Sequence, residues 1–409
     1  MSLHPVSAAF MPLTDSLILI AAAELGFAEN EGIDLKLTRE TSWANVRDRM
    51  AVGHFEVAHM LAPMPIAFNL GLSPLSLKVI APFALGLGGN AVTVSSALDA
   101  EMRNSGGLTN LDPALAGKAL KTIVKTRAAQ GAPRLIFAVV HPHSGHNFEL
   151  RYWLSSCGIN AKTDIDIVIV PPPLMPDALA AGRIDGFCVG EPWNSVAVQS
   201  GAGAVITVKS AIWRSSPEKV LGVNQYWADN NPDVLAALLR ALYKAAAFCG
   251  EQQNQKALAA LLAKPIWLGQ PAAWIEIGLS GRFLRDDNAS TKSTPLLIDD
   301  FYLPFARAAT FPWQSHALWF YTQMVRWGQI THSRENALAA LQSYRPDLYR
   351  SALAGLNAPM PANDLKIEGA LKSTTSLDGL MLGPDGFFDG KTFDPDFIDD
   401  YLASQNALF

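Results

Sequence analysis

Twice along this chain, runs at strand period alternate with runs at helix period, and few folds admit that order. VSAAFMP from Val6 has the make-up of a buried strand, and residues 17–25 form an apolar run that Gly26 stops, with Thr14 read as its cap. A run apolar on nearly every face belongs between layers rather than on a surface. Ile33, Leu35 and Leu37 then alternate with Asp34, Lys36 and Thr38, which is strand period. Ser42 can cap a helix reaching Met50. Val57–Leu61 follows as a short strand, residues 64–70 as a helix closed by Gly71, and residues 77–83 as another strand. Strand–helix–strand order repeated in this way implies a parallel sheet with right-handed crossovers.

A second set of the same kind follows a glycine-rich joint at Gly106 and Gly107. Asp112 before Pro113 opens a helix to about residue 130, a cap followed by a first-turn proline. Residues 135–140 read as a strand, 141–146 as a loop, 147–157 as a helix ended by Gly158, and 165–170 as a strand broken by three prolines. After a short helix at 178–181 comes IDGFCVGEPWN, then a strand at 204–208. In IDGFCVGEPWN, Phe187, Cys188 and Val189 end a strand and Gly190 turns the chain. Pro192 suits the first helical position, where its missing N–H costs nothing. Such a junction is either an ordinary turn or an anion cradle made by free N–H groups at a helix start. From Val220 the alternation lapses. Asn231-Pro232-Asp233 starts a long helix with Leu235, Leu238, Leu239, Leu242 and Ala246 on one face. Trp267, Trp274, Trp313, Trp319 and Trp327 are expected as packing anchors. The Gly- and Asp-rich stretch 366–409 is expected as an irregular wrap.

Composition excludes several function classes. The 409 residues are 49% hydrophobic and 17% charged, enough for a large core in two to three domains. A net charge of −5 without a block of one sign argues against direct nucleic-acid binding. No apolar run approaches the roughly 20 residues of a transmembrane helix. Cys157, Cys188 and Cys249 share no paired spacing and read as free thiols. No basic-then-apolar leader or lipid-attachment cysteine precedes the first strand. The expected location is cytoplasmic if the chain is full length, and periplasmic if a leader was removed.

Several residues could carry chemistry. His141, His143 and His146 approach metal-ligand spacing but lack an acid or cysteine at a matching interval, so loop and helix-start roles fit them better than a metal. Lys219 precedes a strand in SSPEKVLG, where it is a solvated lysine or a charge aimed into a cleft. Trp43 opens a helix with an indole N–H that can only donate. Asn90 lies in a glycine-rich loop, as turn chemistry or as an amide donor. No nucleophile–base pair, phosphate loop or dinucleotide fingerprint is present.

SWANVRDRM, AHMLAPMPIA, GHNFELRYWL, PPPLM, IDGFCVGEPWN, SSPEKVLG, SHALWF and FFDGKTFDP occur in that order over nearly the whole chain. Together they resemble the nitrate- and bicarbonate-binding proteins of ABC importers and their cytosolic nitrate/nitrite-sensor relatives. The resemblance implies an α/β, two-lobed type II periplasmic-binding-protein fold. Each lobe would be a mixed, mainly parallel sheet flanked by helices, with C-terminal helices on lobe I. Residues 1–93 and 208–349 would form lobe I, 94–207 lobe II, and 350–409 an extension wrapping lobe I. It also implies an anion site of Trp43, His146, the backbone donors Val189 and Gly190 with Glu191 beside them, and Lys219. Asn90 stands where the nitrate importers have a glutamine, one methylene longer. The bicarbonate members resemble a calcium-assisted site without the lysine, so Lys219 favours nitrate or nitrite. Bicarbonate carries an O–H donor that a donor-only pocket would leave unsatisfied.

The expected function is therefore non-catalytic binding of nitrate or nitrite between hinged lobes, with no cofactor and no metal. The expected partner is an ABC permease with its ATPase. Alternatives are a cytosolic sensor that sequesters an RNA-binding antiterminator regulator, a bicarbonate importer component, and a thiamine-pyrimidine-synthase-like enzyme on the same fold. The last would need a cofactor-bearing lysine and clustered cysteines, and the cysteines here are scattered.

Overall fold

The computed structural model describes residues 3–105, 110–286, 295–377 and 380–406. The expected joint at Gly106 and Gly107 lies outside the described residues. Two five-stranded sheets organise the chain. The first runs in the order Ile33–Arg39, His4–Phe10, Val57–Leu61, Lys219–Asn224, Val79–Ile80. The second runs Gly203–Val208, Asn90–Ser95, Gly186–Gly190, Leu135–Val139, Ile165–Ile169. The chain changes sheet between Ile80 and Asn90 and returns between Val208 and Lys219.

The sheets are less parallel than expected. His4–Phe10 pairs parallel with both of its neighbours, and Leu135–Val139 does the same in the second sheet. The remaining pairings are antiparallel: Lys219–Asn224 runs against Val57–Leu61 and Val79–Ile80, and Asn90–Ser95 runs against Gly186–Gly190 and Gly203–Val208. The strands that carry the chain between sheets enter from the opposite end to the helix-linked ones, so they reverse direction. Of the strand expected at 77–83, only Val79–Ile80 pairs regularly.

Local signals act where the sequence places them. Ser42 Oγ accepts the Asn45 N–H at 3.2 Å and starts the helix Trp43–Ala51. Asp112 Oδ1 accepts from Ala114 and Leu115 at 2.8 and 2.9 Å, ahead of Pro113–Ala129. Some starts differ from expectation. Thr14 does not cap: residues Thr14–Ser16 form one 3-10 turn before the helix Leu17–Glu24. The helix expected from 147 begins at Gly145, because Ser144 Oγ accepts the Asn147 N–H at 3.0 Å. His146 therefore lies inside the first turn rather than at the helix mouth.

Helix Pro232–Gly250 packs its leucine face on Leu17–Glu24, in the core of the first sheet. Helix Gln314–Arg326 instead packs on Gly145–Ser156 of the second sheet. Trp267, Trp313 and Trp319 are buried, whereas Trp274 and Trp327 are only half-buried. The tail also reaches beyond the first lobe. Asp389 accepts from Tyr152 Oη at 2.9 Å and from Ser156 Oγ at 2.9 Å, both on Gly145–Ser156, and Phe387 stacks on Trp213. No helix among the described residues is long and apolar enough to cross a membrane.

Candidate functional site

The site lies where the ends of the two sheets meet. Trp43, first residue of its helix, shares a buried face with Val46 and Met50. Its ring centroid is 5.5 Å from Lys219 Nζ and 5.5 Å from the His59 ring. Lys219 opens the strand Lys219–Asn224 and pairs with Leu61, while Leu221 pairs with His59. The Lys219 ammonium is 2.7 Å from Asp15 Oδ2 and 2.8 Å from Glu218 Oε1. Asp15 comes from the 3-10 turn that precedes the helix Leu17–Glu24, apolar up to its last residue. His59 Nδ1 faces the Met11 N–H at 3.4 Å, so its proton sits on Nε2, which faces Asp15 Oδ1 at 3.1 Å.

The second sheet supplies the opposite wall. His146 and Glu149 are one turn apart on Gly145–Ser156. His146 Nδ1 lies 3.2 Å from Glu218 Oε1, and Glu149 Oε1 lies 2.6 Å from Lys209 Nζ. Lys209 also donates to Glu218 Oε2 at 2.5 Å and to the Pro217 carbonyl at 2.7 Å. Gly145 leaves room here: a Cβ on it would sit 2.5 Å from Glu218 Oε2 and 3.4 Å from Lys209 Nζ, so the carboxylate would have to shift. Asn90 faces Gly190 across the ladder. A Cβ on Gly190 would meet Asn90 Oδ1 at 3.2 Å and Asp15 Oδ2 at 3.5 Å, so the amide and the carboxylate converge on that glycine.

These side chains are buried, and the electrostatics follow from burial against pairing. Burial pushes the Asp15 carboxyl up, but Lys219 and His59 reverse that and hold it well below the usual carboxylate range. Burial also opposes ionisation of Glu218, yet His146, Lys209 and Lys219 pull it low. Glu149 goes the other way: burial lifts it, and Lys209, already shared with Glu218, does not bring it back. Burial drives His146 down to about 3, against the pull of Glu218, and lowers His59 as well.

Trp43, Asn90, His146, Gly190 and Lys219 are thus gathered in one place from five separate segments. Glu191 is turned aside. Its Oε2 accepts the Ser195 N–H at 3.2 Å, capping its own helix Trp193–Gln199, and its stem packs against Gly278. Burial lifts its carboxyl to about 7 against those hydrogen bonds. Pro192 is the cap residue rather than the first helical one. Val189 is committed to the sheet. Glu191 N–H donates to Gly89 O at 3.2 Å and Ser95 N–H to Asp185 O at 2.8 Å. By that alternation the Val189 N–H faces Ala91 across the ladder, and the Gly190 N–H turns out of it. His141 and His143 stand near Arg47, His141 Nδ1 accepting the His143 N–H at 3.1 Å. Burial first, then neighbouring positive charge, lowers both, to about 3 and about 4. Among the described residues, no three of His, Cys, Asp or Glu are placed to hold a metal.

Asp15, His59, Glu149, Lys209 and Glu218 were not anticipated. Glu218 adjoins Lys219 in SSPEKVLG, and Glu149 follows His146 by three residues, so a search for counterions near the expected lysine and histidine would have found both. The cluster is consequently not donor-only, since two ionised carboxylates sit among the donors.

Several polar atoms here have no hydrogen-bond partner among the described residues. They include Trp43 Nε1, Asn90 Nδ2 and Oδ1, Asp15 Oδ1, His59 Nε2, the Glu149 carboxyl oxygens, and both ring nitrogens of His146, whose approach to Glu218 is poorly aligned. Buried polar groups are seldom left this way, and each such group calls for an explanation.

Residues 3–263 match the model of the NMT1-like family. The chain is 32% identical to the nitrate/nitrite binding protein NrtA of Synechococcus elongatus, over 97% of this chain and 85% of that protein. It is also 32% identical to the nitrate import ATP-binding protein NrtC of Synechocystis, over 92% of this chain but 53% of that protein. The chain therefore spans about half the length of that ATP-binding relative. Its fold superimposes on the crystal structure of the periplasmic nitrate-binding protein NrtA from Synechocystis PCC 6803, with a TM-score of 0.86 and 25% identity over 98% of both chains.

Proposed function

Since the chain belongs to the NMT1-like family, we propose that it is a non-catalytic binding protein that holds nitrate or nitrite between its two lobes, as the solute-binding part of an ABC-type import system. We place the lobe limits at the two sheet crossings, near residues 81–89 and 209–218. The observation that carries the reading is the set of buried, unpartnered donors around Lys219: the Trp43 indole, the Asn90 amide and the His146 ring. A buried donor left unsatisfied costs about 1–3 kcal/mol. A planar anion with acceptor oxygens on every side removes several such penalties together. Lys219 has three N–H groups. Two are committed to Asp15 and Glu218, which leaves one for an anion. One charged bond of about 1.5–3 kcal/mol and several neutral ones suit roughly micromolar affinity, which needs about 8 kcal/mol.

The same geometry supports a reading without turnover. Lys219 is locked between two carboxylates, which does not suit a lysine that must bond covalently to a carbonyl cofactor. Burial pushes the Cys188 thiol well above its ordinary value, so it is a poor nucleophile. As an importer component, the protein would dock on a permease and its ATPase in an extracytoplasmic compartment.

Bicarbonate is a second reading, favoured by Asp15 and Glu218. Either carboxylate can accept the bicarbonate O–H, so the argument against that ligand from a donor-only pocket does not hold. The deciding experiment is a thermal-shift and calorimetric screen with nitrate, nitrite, bicarbonate and chloride. A ligand at 100 times its Kd stabilises the folded state by about 2.7 kcal/mol. Stabilisation by nitrate or nitrite alone is expected; stabilisation by bicarbonate alone transfers the assignment, and none at all rejects both. Fractionation of the native protein then tests the importer role: recovery in the cytosol with an RNA-binding regulator attached would replace it with the sensor role.

A further inference from the structure

The two carboxylates on Lys219 serve a purpose that an anion site alone does not require. Asp15 and Glu218 take two of the three N–H groups of Lys219, and Glu218 takes a further one from Lys209. All four side chains are buried. Asp15 comes from the turn after the first strand of the first sheet, Lys209 and Glu218 from the crossover between sheets, and Lys219 from the strand that returns to the first sheet. Two buried ammonium groups thus face two buried carboxylates, and no uncompensated cation remains at the point where the Trp43, Asn90 and His146 donors converge.

Resting on the anion-binding reading above, we propose that Asp15 and Glu218 set the charge limit of the site, admitting an oxyanion of one negative charge and excluding one of two. A singly charged anion is held by the remaining N–H of Lys219 and by neutral dipoles. A doubly charged anion of similar size brings the same contacts and one more charge. That second charge meets no free cation, and it lies beside Asp15 Oδ2, which converges with Asn90 Oδ1 on Gly190. Repulsion between like charges is strongest in a buried site, where water cannot screen it. Glu149 adds to the balance. Burial lifts its carboxyl, so near neutral pH it tends to hold its proton and leaves Lys209 to Glu218. The filter works by a repulsive element built against the wrong ligand, a route to specificity distinct from better contacts with the right one.

The test uses the whole protein and two single variants, Asp15→Asn and Glu218→Gln, each near-isosteric and each removing one negative charge. Nitrate, sulfate and perchlorate are titrated calorimetrically, with thermal melts to establish that each variant is folded. Perchlorate is tetrahedral like sulfate but singly charged, so it separates charge from shape. In the wild type, nitrate binds and sulfate is at least about 100-fold weaker. In at least one folded variant, nitrate binds several-fold more tightly and sulfate gains about tenfold or more, while perchlorate shifts only as nitrate does. If folded variants still exclude sulfate, or if nitrate binding weakens in both, the charge limit is overturned. If sulfate and perchlorate gain equally, shape is the filter and the assignment to Asp15 and Glu218 fails. Wild-type protein that binds neither nitrate nor nitrite rejects the underlying function instead, an outcome distinguishable from the others.

Discussion

Replacing Lys219 with methionine tests the electrostatics of the site and its proposed ligand together. Lys219→Met keeps a stem of similar length and removes the ammonium that Asp15 and Glu218 hold at 2.7 and 2.8 Å. Breaking a buried pair by deleting one partner costs about 3–5 kcal/mol, because the charge left behind has neither partner nor water. The pH dependence is the sharper test. In the wild type, Asp15 titrates below its unfolded value of about 4. Its contribution is therefore present above that value and is lost as pH falls through the folded one. Without Lys219, the burial that already opposes its ionisation prevails, and the folded value rises above the unfolded one. A group of that kind stabilises below its unfolded value and loses the contribution as pH rises. Urea denaturation between pH 5 and 8 should thus show the variant losing stability toward pH 8, a slope this group does not give the wild type. Loss of one charged hydrogen bond should weaken nitrate binding roughly 10- to 150-fold, about 1.5–3 kcal/mol. A destabilisation under about 1 kcal/mol with an unaltered pH slope would refute Lys219 as the balancing charge. Unchanged nitrate affinity by calorimetry would remove it from the ligand set.

Trp43→Phe keeps an aromatic ring but deletes the unpartnered indole N–H together with part of a buried ring, so nitrate affinity should fall about two- to tenfold and the ligand-free protein should lose some thermal stability to the cavity. Unchanged nitrate affinity would show that the indole matters for packing and not for the ligand. Asn90→Gln adds one methylene to an amide with no partner among the described residues, and should keep binding while changing the nitrate-to-nitrite ratio; a constant ratio removes Asn90 from the selectivity argument. Gly145→Ala drives a methyl to within 2.5 Å of Glu218 Oε2 and should cost about 1–3 kcal/mol, with weaker nitrate binding as Glu218 shifts. A neutral melt would mean that Glu218 moves freely, against its two lysine contacts.

What the sequence discloses is local. Ser42 and Asp112 cap the helices they precede because a side chain and the N–H it accepts are two or three residues apart. Ser144 carries the same signal, but HPHS reads as loop, which places the helix start too late. Strand direction is a different matter. The period of Lys219–Asn224 marks a strand without naming its neighbours, and its antiparallel seat beside Val57–Leu61 depends on a partner some 160 residues earlier. Trp43, Asn90, His146, Gly190 and Lys219 each offer a donor or a turn signal with an ordinary structural alternative, and it is the family resemblance that draws them into one candidate site. It does not draw in their counterions. Asp15 is 204 positions from Lys219, and an acid ahead of an apolar helix is equally what the helix dipole favours.

The missed residues change the physical character of the site. A cradle of donors attracts an anion at any degree of closure, whereas a cluster of paired charges favours closure only if each charge keeps a partner as water leaves. Thr14 N–H donates to the Glu191 carbonyl at 2.7 Å and the Trp193 indole to the Pro12 carbonyl at 3.0 Å, so these contacts tie the two lobes beside the site. If the lobes hinge as proposed, those bonds, with Lys209 joining Glu149 to Glu218, belong to the closed state. Opening would then rehydrate Asp15, Glu218 and Lys219 and restore water to Trp43, Asn90 and His146. Closing without an anion satisfies the first group and strands the second, at about 1–3 kcal/mol for each stranded atom. An anion that accepts from the second group removes that penalty only in the closed state, and a difference of this size between states is what allows a ligand to shift a hinge equilibrium.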